Sequence, residues 1–293
     1  MNAESLKQMA RKYGADLVGI APIDRFKPLP PEHQPAQIFP ECRSVIVLGR
    51  RILRGALRGV EEGTNFGSTY AMFGFRWLED NFLSKTTYDV TCAMEAQGFE
   101  AVPLFGYDID GMPTGQRVSP DKPAPNVIVD VEFAAQAAGL GEVGLGDFFL
   151  TPDFGPRQRF ALILTDAELE PDPVRATATC DNCGACVAAC PLAAIPSDRL
   201  VETGLPGYTT KVAAVEYARC RACSNGAMTG PGRGTRPDRC AAACVRACLV
   251  HLESTGRTKQ TFAHPFRKRE PWARDSYNQP VEPNRLPRTQ DRT

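Results

Sequence analysis

Residues 180–191 read CDNCGACVAACP. The spacing is Cys180-x2-Cys183-x2-Cys186-x3-Cys190-Pro191, the run that ligates a 4Fe–4S cubane. Three cysteines two residues apart wrap one cluster in a tight loop. The fourth stands a helical turn further on and points away, so it serves a second cluster. The small residues Gly184, Ala185, Ala188 and Ala189 let the backbone come close, with its N–H groups facing sulfur. Structural zinc is the competing reading, but zinc sites pair CxxC with a second pair of ligands and lack the trailing Cys-Pro.

This motif makes a demand on the rest of the chain. The first cluster needs one more thiolate and the second needs three. Residues 220–248, CRACSNGAMTGPGRGTRPDRCAAACVRAC, offer five cysteines. Cys240, Cys244 and Cys248 have helical spacing. The expected first set is Cys180, Cys183, Cys186 and Cys248. The expected second set is Cys190, Cys220, Cys240 and Cys244, with Cys223 as the alternate to Cys220, which follows the helical run KVAAVEYA. Cys42 and Cys92 stand alone and read as small hydrophobes.

The 293 residues are 43% hydrophobic and 23% charged, with 34 basic and 34 acidic side chains. The balance argues against a general pull on nucleic acid or anionic membrane. No apolar run approaches the roughly 20 residues of a membrane helix. The opening residues lack the order of a secretory signal. A cytoplasmic location is expected, where thiols stay reduced and eleven cysteines point to metal rather than disulfides.

Helical periodicity marks 4–14, closed by Gly14, and again about 70–98, closed by Gly98. Apolar, β-branched runs mark strands at 15–23, 44–52, 99–107, 126–133 and 159–166. Helices and strands therefore alternate before a polar, Pro-containing linker at 168–179. The expected organisation is an α/β domain over 1–170, a cluster domain over 171–255 and a Pro/Arg-rich extension over 256–293, solvated from about Arg267.

The order AGLGEVG (138–144), TPDFGP (151–156), TD (165–166) and then the cysteine run resembles the epoxyqueuosine reductase and reductive dehalogenase superfamily, as does the opening LKQMARKYGADLVGIAPID. The resemblance implies an α+β fold: a nitroreductase-like α/β domain that binds cobalamin, followed by a two-cluster module like bacterial ferredoxin. It implies electrons passing from two 4Fe–4S clusters to a corrinoid, and an oxidoreductase that cleaves a C–O or C–halogen bond of a small-molecule substrate. A low-potential ferredoxin or flavodoxin would supply the electrons. The helical-repeat domain of epoxyqueuosine reductases has no counterpart here, so a nucleic-acid partner is not expected, nor is a membrane. An electron carrier without a substrate, or a cobalamin-free reductase of the same fold, is the alternative.

The family's acid lies on a Val-Asp dipeptide, which Val129-Asp130 resembles. A carboxyl ending an apolar strand is partly desolvated and suits a proton donor. Glu132, two residues on, is the alternate, and Tyr107 and Tyr70 are further candidates. Residues Gly139, Leu140, Gly141 and Gly144 satisfy GxGxxG, yet no helix opens after them, as a dinucleotide site requires. By resemblance this turn approaches the corrinoid's side-chain amides; otherwise it is a turn needing positive φ. The three histidines show no metal spacing.

Overall fold

The computed structural model describes residues 1–105, 115–175, 177–228 and 236–282. Its centre is a four-stranded antiparallel sheet in the order β1-β2-β6-β3. The strands are β1 (Leu17–Pro22), β2 (Ser44–Arg51), β3 (Ala101–Leu104) and β6 (Gln158–Thr165). The two middle strands pair along their whole length, with Val47 opposite Leu162 and Ile46 opposite Ile163. Both are continuously apolar because both faces are covered.

Alternation sorts their side chains into two cores. Val45, Val47, Phe160, Leu162 and Leu164 face a layer containing Phe26, Phe39 and the alanines of helix α4 (Val131–Ala137). Ile46, Leu48 and Ile163 face the opposite way, toward Leu6 and Ala10 of α1 (Ala3–Lys12) and Val90 and Met94 of α3 (Ser84–Glu95). One turn of helix, α2 (Arg58–Glu61), and wide π-type turns at Gly67–Arg76 and Leu78–Leu83 precede α3. The helical reading of 70–98 thus describes a π-type run feeding a regular helix.

Residues 126–133 do not form the expected strand. Both edges of β6 are taken, by β2 and β3, and the Ile128 N–H donates outside the sheet, to the Glu32 carbonyl at 3.0 Å. Instead Asp130 caps α4, its Oδ1 accepting the N–H groups of Glu132 and Phe133 at 2.8 Å each. The run 211–218 is likewise not a helix at its start. It enters β8 (Tyr208–Ala213), which pairs with β7 (Leu200–Leu205) so that Val212 faces Val201. Gln136 of α4, buried, pins this hairpin by accepting from the Leu205 N–H and donating to the Tyr208 carbonyl.

The cysteine-rich part folds on the sheet layer through a small hairpin, β4 (Glu142–Gly144) and β5 (Phe148–Leu150). Three helices follow: α5 (Ala185–Ala188), α6 (Tyr217–Arg221) and α7 (Ala243–Ser254). The segment expected to be a solvated extension is instead tied down as far as the described residues run. Phe266 is buried, and the Trp272 indole donates to the Val60 carbonyl at 3.0 Å. Beneath this strap Glu61 pairs with Arg246 at 2.7 Å and with Arg267 at 2.6 Å. Among the described residues no helix is long and apolar enough to cross a membrane.

Removing one member of a buried ion network strands the other charges. Glu61→Ala should therefore lower unfolding free energy by about 3–5 kcal/mol. Asp24→Ala, which breaks an exposed pair with Lys27, should change it by less than about 1 kcal/mol. Denaturant titration of both variants distinguishes the two cases.

Candidate functional site

The structure contains two four-cysteine cavities, the first of them under the β4–β5 hairpin. The first is lined by Cys180, Cys183, Cys186 and Cys248, the set expected from spacing. Asn182 and Gly184 take positive φ, 57° and 76°, to turn the loop back on itself before α5, and α7 brings in Cys248. The hairpin turn Gly144-Leu145-Gly146 closes over the sulfurs. The Leu145 N–H donates to Cys180 Sγ at 3.4 Å. A Cβ at Gly146 would stand 3.1 Å from Cys186 Sγ, and one at Gly144 3.4 Å from Cys180 Cβ. Nearer still are the Phe148 ring, 2.4 Å from a Cβ at Gly146, and Leu150 Cδ1, 2.8 Å from one at Gly144, so the packing of the hairpin against its own side chains and the cysteines leaves room only for glycine.

The second cavity is lined by Cys190, Cys220, Cys223 and Cys244. The Ala194 N–H donates to Cys190 Sγ at 3.3 Å. Cys240, expected in this group, lines a different cavity, and Cys223 stands in its place. Helix α7 begins only at Ala243, with Ala242 extended at φ −66° and ψ 156°. The i, i+4 relation between Cys240 and Cys244 is therefore lost. Asp238 holds the preceding loop away: its Oδ2 accepts from Tyr70 Oη at 2.6 Å and from Arg159 Nη2 at 2.8 Å.

Both cavities are small and lined by four cysteines each, five of the eight buried. Burial, with neighbouring sulfurs adding to it, pushes Cys186 up to about 12. Burial pushes Cys220 up to about 11, and Cys244 and Cys248 well above the usual thiol range. Thiols so placed become thiolates only around a cationic centre. Four sulfurs with backbone N–H groups directed at them fit a 4Fe–4S cubane. All eleven cysteines are free thiols; Cys42 is buried and Cys92 exposed, apart from both groups. His251 Nε2 meets Asp181 Oδ2 at 2.8 Å beside the first cavity, with Cys183 close by, a grouping the sequence spacing does not reveal.

A third cavity of about 230 Å³ adjoins both. Phe148 is a wall it shares with the first sulfur cavity, and Arg239 a wall it shares with the second. Its apolar lining includes Phe149 and Phe160; its polar rim carries Asp130, Glu132, Asp147, Tyr217, Arg236 and Cys240. Arg159 is buried, with Nε 3.4 Å from Glu79 and Nη2 2.8 Å from the Tyr70 hydroxyl. Arg239 donates to the Gly146 carbonyl at 3.0 Å, to the Asp147 carbonyl and to the Tyr217 hydroxyl at 3.3 Å. The Tyr217 hydroxyl in turn donates to Asp147.

The proposed acids meet different fates. Asp130 is exposed and engaged as a helix cap. Glu132, on the cavity rim, is raised to about 7 by desolvation, with the Asp130 and Asp147 carboxylates adding to it. Tyr70 is buried behind Arg159 with its proton directed at Asp238. Tyr107 lies outside the described residues. The glycine turn faces its own chain: a Cβ at Gly139 would come within 2.3 Å of the Pro173 carbonyl oxygen, and at Gly141 within 2.0 Å of the Leu150 carbonyl oxygen. Leu140 packs on the core, and Gly144 belongs to the first sulfur cavity. Sequence reading missed Arg236, Arg239, Asp147 and Tyr217; the Gly-x-Gly of 144–146 was the one local sign of close approach to sulfur.

No family model matches the chain. A tetrachloroethene reductive dehalogenase of Desulfitobacterium hafniense is 42% identical over 74 residues, covering 24% of this chain and 13% of that protein. The tetrachloroethene reductive dehalogenase of Sulfurospirillum multivorans is 27% identical over 225 residues, covering 65% of this chain and 40% of that protein. A reductive dehalogenase structure described in terms of B12-dependent dehalogenation overlays with a TM-score of 0.52 at 19% identity, covering 87% of this chain and 35% of that one. An epoxyqueuosine reductase from Streptococcus thermophilus overlays with a TM-score of 0.46 at 15% identity, covering 65% of this chain and 52% of that one. The chain spans less than half the length of the curated relatives it matches. In fold and over part of its sequence, this chain is similar to reductive dehalogenases.

Proposed function

We propose that this chain is an iron–sulfur reductase that cleaves a carbon–heteroatom bond, C–O or C–halogen, in a small organic substrate. The observation that carries the proposal is the shared walls: each four-sulfur cavity has a lining residue in common with the third cavity, Phe148 for the first and Arg239 for the second. Two clusters held there, each passing one electron at a time, supply the two electrons that R–X + 2e⁻ + H⁺ → R–H + X⁻ consumes. A low-potential ferredoxin or flavodoxin is the proposed donor. A carrier that only relayed electrons would have no use for the third cavity.

The chain's own residues have distinct tasks in this scheme. Phe148, Phe149 and Phe160 exclude water and receive the apolar body of the substrate. Arg236, near Asp147 at 3.9 Å and partly exposed, lies at the rim where an anion departs. Glu132 holds the proton: a carboxyl raised to about 7 is protonated in about half of the molecules at neutral pH, where an ordinary glutamate has lost its proton, and gives it up readily. Asp130 orients Glu132 by capping the helix on which it stands.

A corrinoid was expected from the resemblance, where it would serve as the nucleophile and electron relay. The enclosed volume, about 230 Å³, is below the ~300–1,000 Å³ that houses drug-sized ligands, and a corrinoid is larger than those. The glycine turn is filled by Pro173 and Leu150. The described residues fit a small substrate and do not fit a corrinoid in this arrangement, so no step is routed through one. This favours a cobalamin-free reductase of the same fold over a cobalamin-dependent one.

Three measurements test the scheme. Anaerobically reconstituted protein should bind iron and sulfide for two cubanes; Cys223→Ser should lose about half of each, whereas Cys240→Ser should keep both. Loss of iron from the Cys240 variant alone would restore the assignment expected from spacing. Protein reconstituted with hydroxocobalamin should pass through desalting without corrinoid absorption; stoichiometric retention would reverse the reading. Reductive turnover of a halogenated or epoxide substrate should hold below about pH 7 and fall above it, as Glu132 loses its proton. In Glu132→Gln that pH dependence should flatten and the rate should drop about 10²-fold or more.

A further inference from the structure

Asn225 is fully buried, and its carbonyl and both side-chain polar atoms are engaged. Its backbone carbonyl accepts the Ala243 N–H at 3.0 Å, at the start of α7, and Arg246 Nη1 at 3.1 Å. Its side-chain amide is clasped by the backbone of one residue of the C-terminal strap. The Arg274 N–H donates to Oδ1 at 2.6 Å, and Nδ2 donates to the Arg274 carbonyl at 2.8 Å. This clasp admits one orientation of the amide, because a flip would set donor against donor and acceptor against acceptor. The second N–H of Nδ2 then has one direction left, and it meets Cys223 Sγ at 3.7 Å.

We infer that the C-terminal strap sets the redox potential of the second cluster by orienting Asn225 to donate a hydrogen bond to the sulfur of Cys223. The inference rests on the cluster reading above. Its physical basis is general. A donor on a ligating sulfur stabilises the more negative, reduced cluster and raises its potential. A side chain whose rotamer is locked by a second shell delivers that bond without reorganisation. The strap has its own anchors in Phe266 and Trp272, so the clasp at Arg274 is separable from the attachment of the strap. Asn225 is a positioning residue: it acts on the cluster through Cys223 and lies outside the substrate cavity.

Redox titration followed by EPR tests this, with the second-cluster signal identified as the one absent from Cys220→Ser. Asn225→Asp keeps the acceptor for the Arg274 N–H and the volume of the side chain, but puts oxygen where Nδ2 stood. Asn225→Ala removes the amide. A chain ending at Ala273 removes the clasp and leaves Asn225 itself. In all three the second cluster should titrate at a lower potential than in the native protein, with the first cluster unmoved, and adding the truncation to Asn225→Ala should shift it no further. Should either point variant fail to fold, the truncated chain carries the test. Two signals at native potentials in these variants overturn this inference and leave the cluster reading standing. A native protein with a single cluster signal overturns both.

Discussion

Eight thiols gathered in two small cavities form the constraint on which the other features depend. Most of these cysteines are buried, and at Cys186 and Cys244 burial and neighbouring sulfurs together oppose ionisation. Such a cluster of donors is stable in a fold only where a cation-rich centre binds all four at once. The local backbone answers that requirement. Positive-φ turns at Asn182 and Gly184, the Gly144-Leu145-Gly146 loop and the N–H groups of Leu145 and Ala194 all bring polar backbone to sulfur.

The cavity between the sulfur groups is assembled from distant parts of the chain. Arg159 comes from the central strand β6, Glu132 from α4, Asp147 and Phe148 from the hairpin, and Arg239 from the loop before α7. Their charges are arranged so that most cations already have partners. Arg159 is spent on Tyr70, Asp238 and Glu79, and Arg239 on backbone carbonyls. What remains near the opening is Glu132, which titrates close to neutral pH, and the longer-range pair of Arg236 and Asp147. The pocket is thus rigid behind and titratable in front, a division suited to holding an apolar substrate while one proton is delivered.

The strap formed by the last described residues has a structural and an electronic part. Phe266, Arg267 and Trp272 close the buried Glu61 network, and Arg274 reaches the amide beside Cys223. A segment whose Pro and Arg content reads as solvated becomes part of the core's polar wiring. Composition carries no record of where a chain returns, and these contacts span about two hundred residues of sequence.

The first sulfur set was legible because its loop is local. Cys180, Cys183 and Cys186 fall within one turn of chain, so spacing alone dictates their geometry, and Cys248 followed from the reach of a helix. The middle strands were legible too, since unbroken apolar runs have few places to lie. The second set was not, because its membership depends on where α7 begins. Helical spacing joins Cys240 to Cys244 only if the helix already exists at Cys240. Asp238 is drawn to Arg159 and Tyr70, which lie 79 and 168 residues away in sequence, and the turn that results delivers Cys223 to the sulfurs and Cys240 to the cavity. The strand expected at 126–133 failed for the same kind of reason: its residues suit a strand, but the Glu32 carbonyl takes the Ile128 N–H and Asp130 turns the chain into α4. Local spacing decides what a segment can ligate; long-range ion pairs and hydrogen bonds decide what it does.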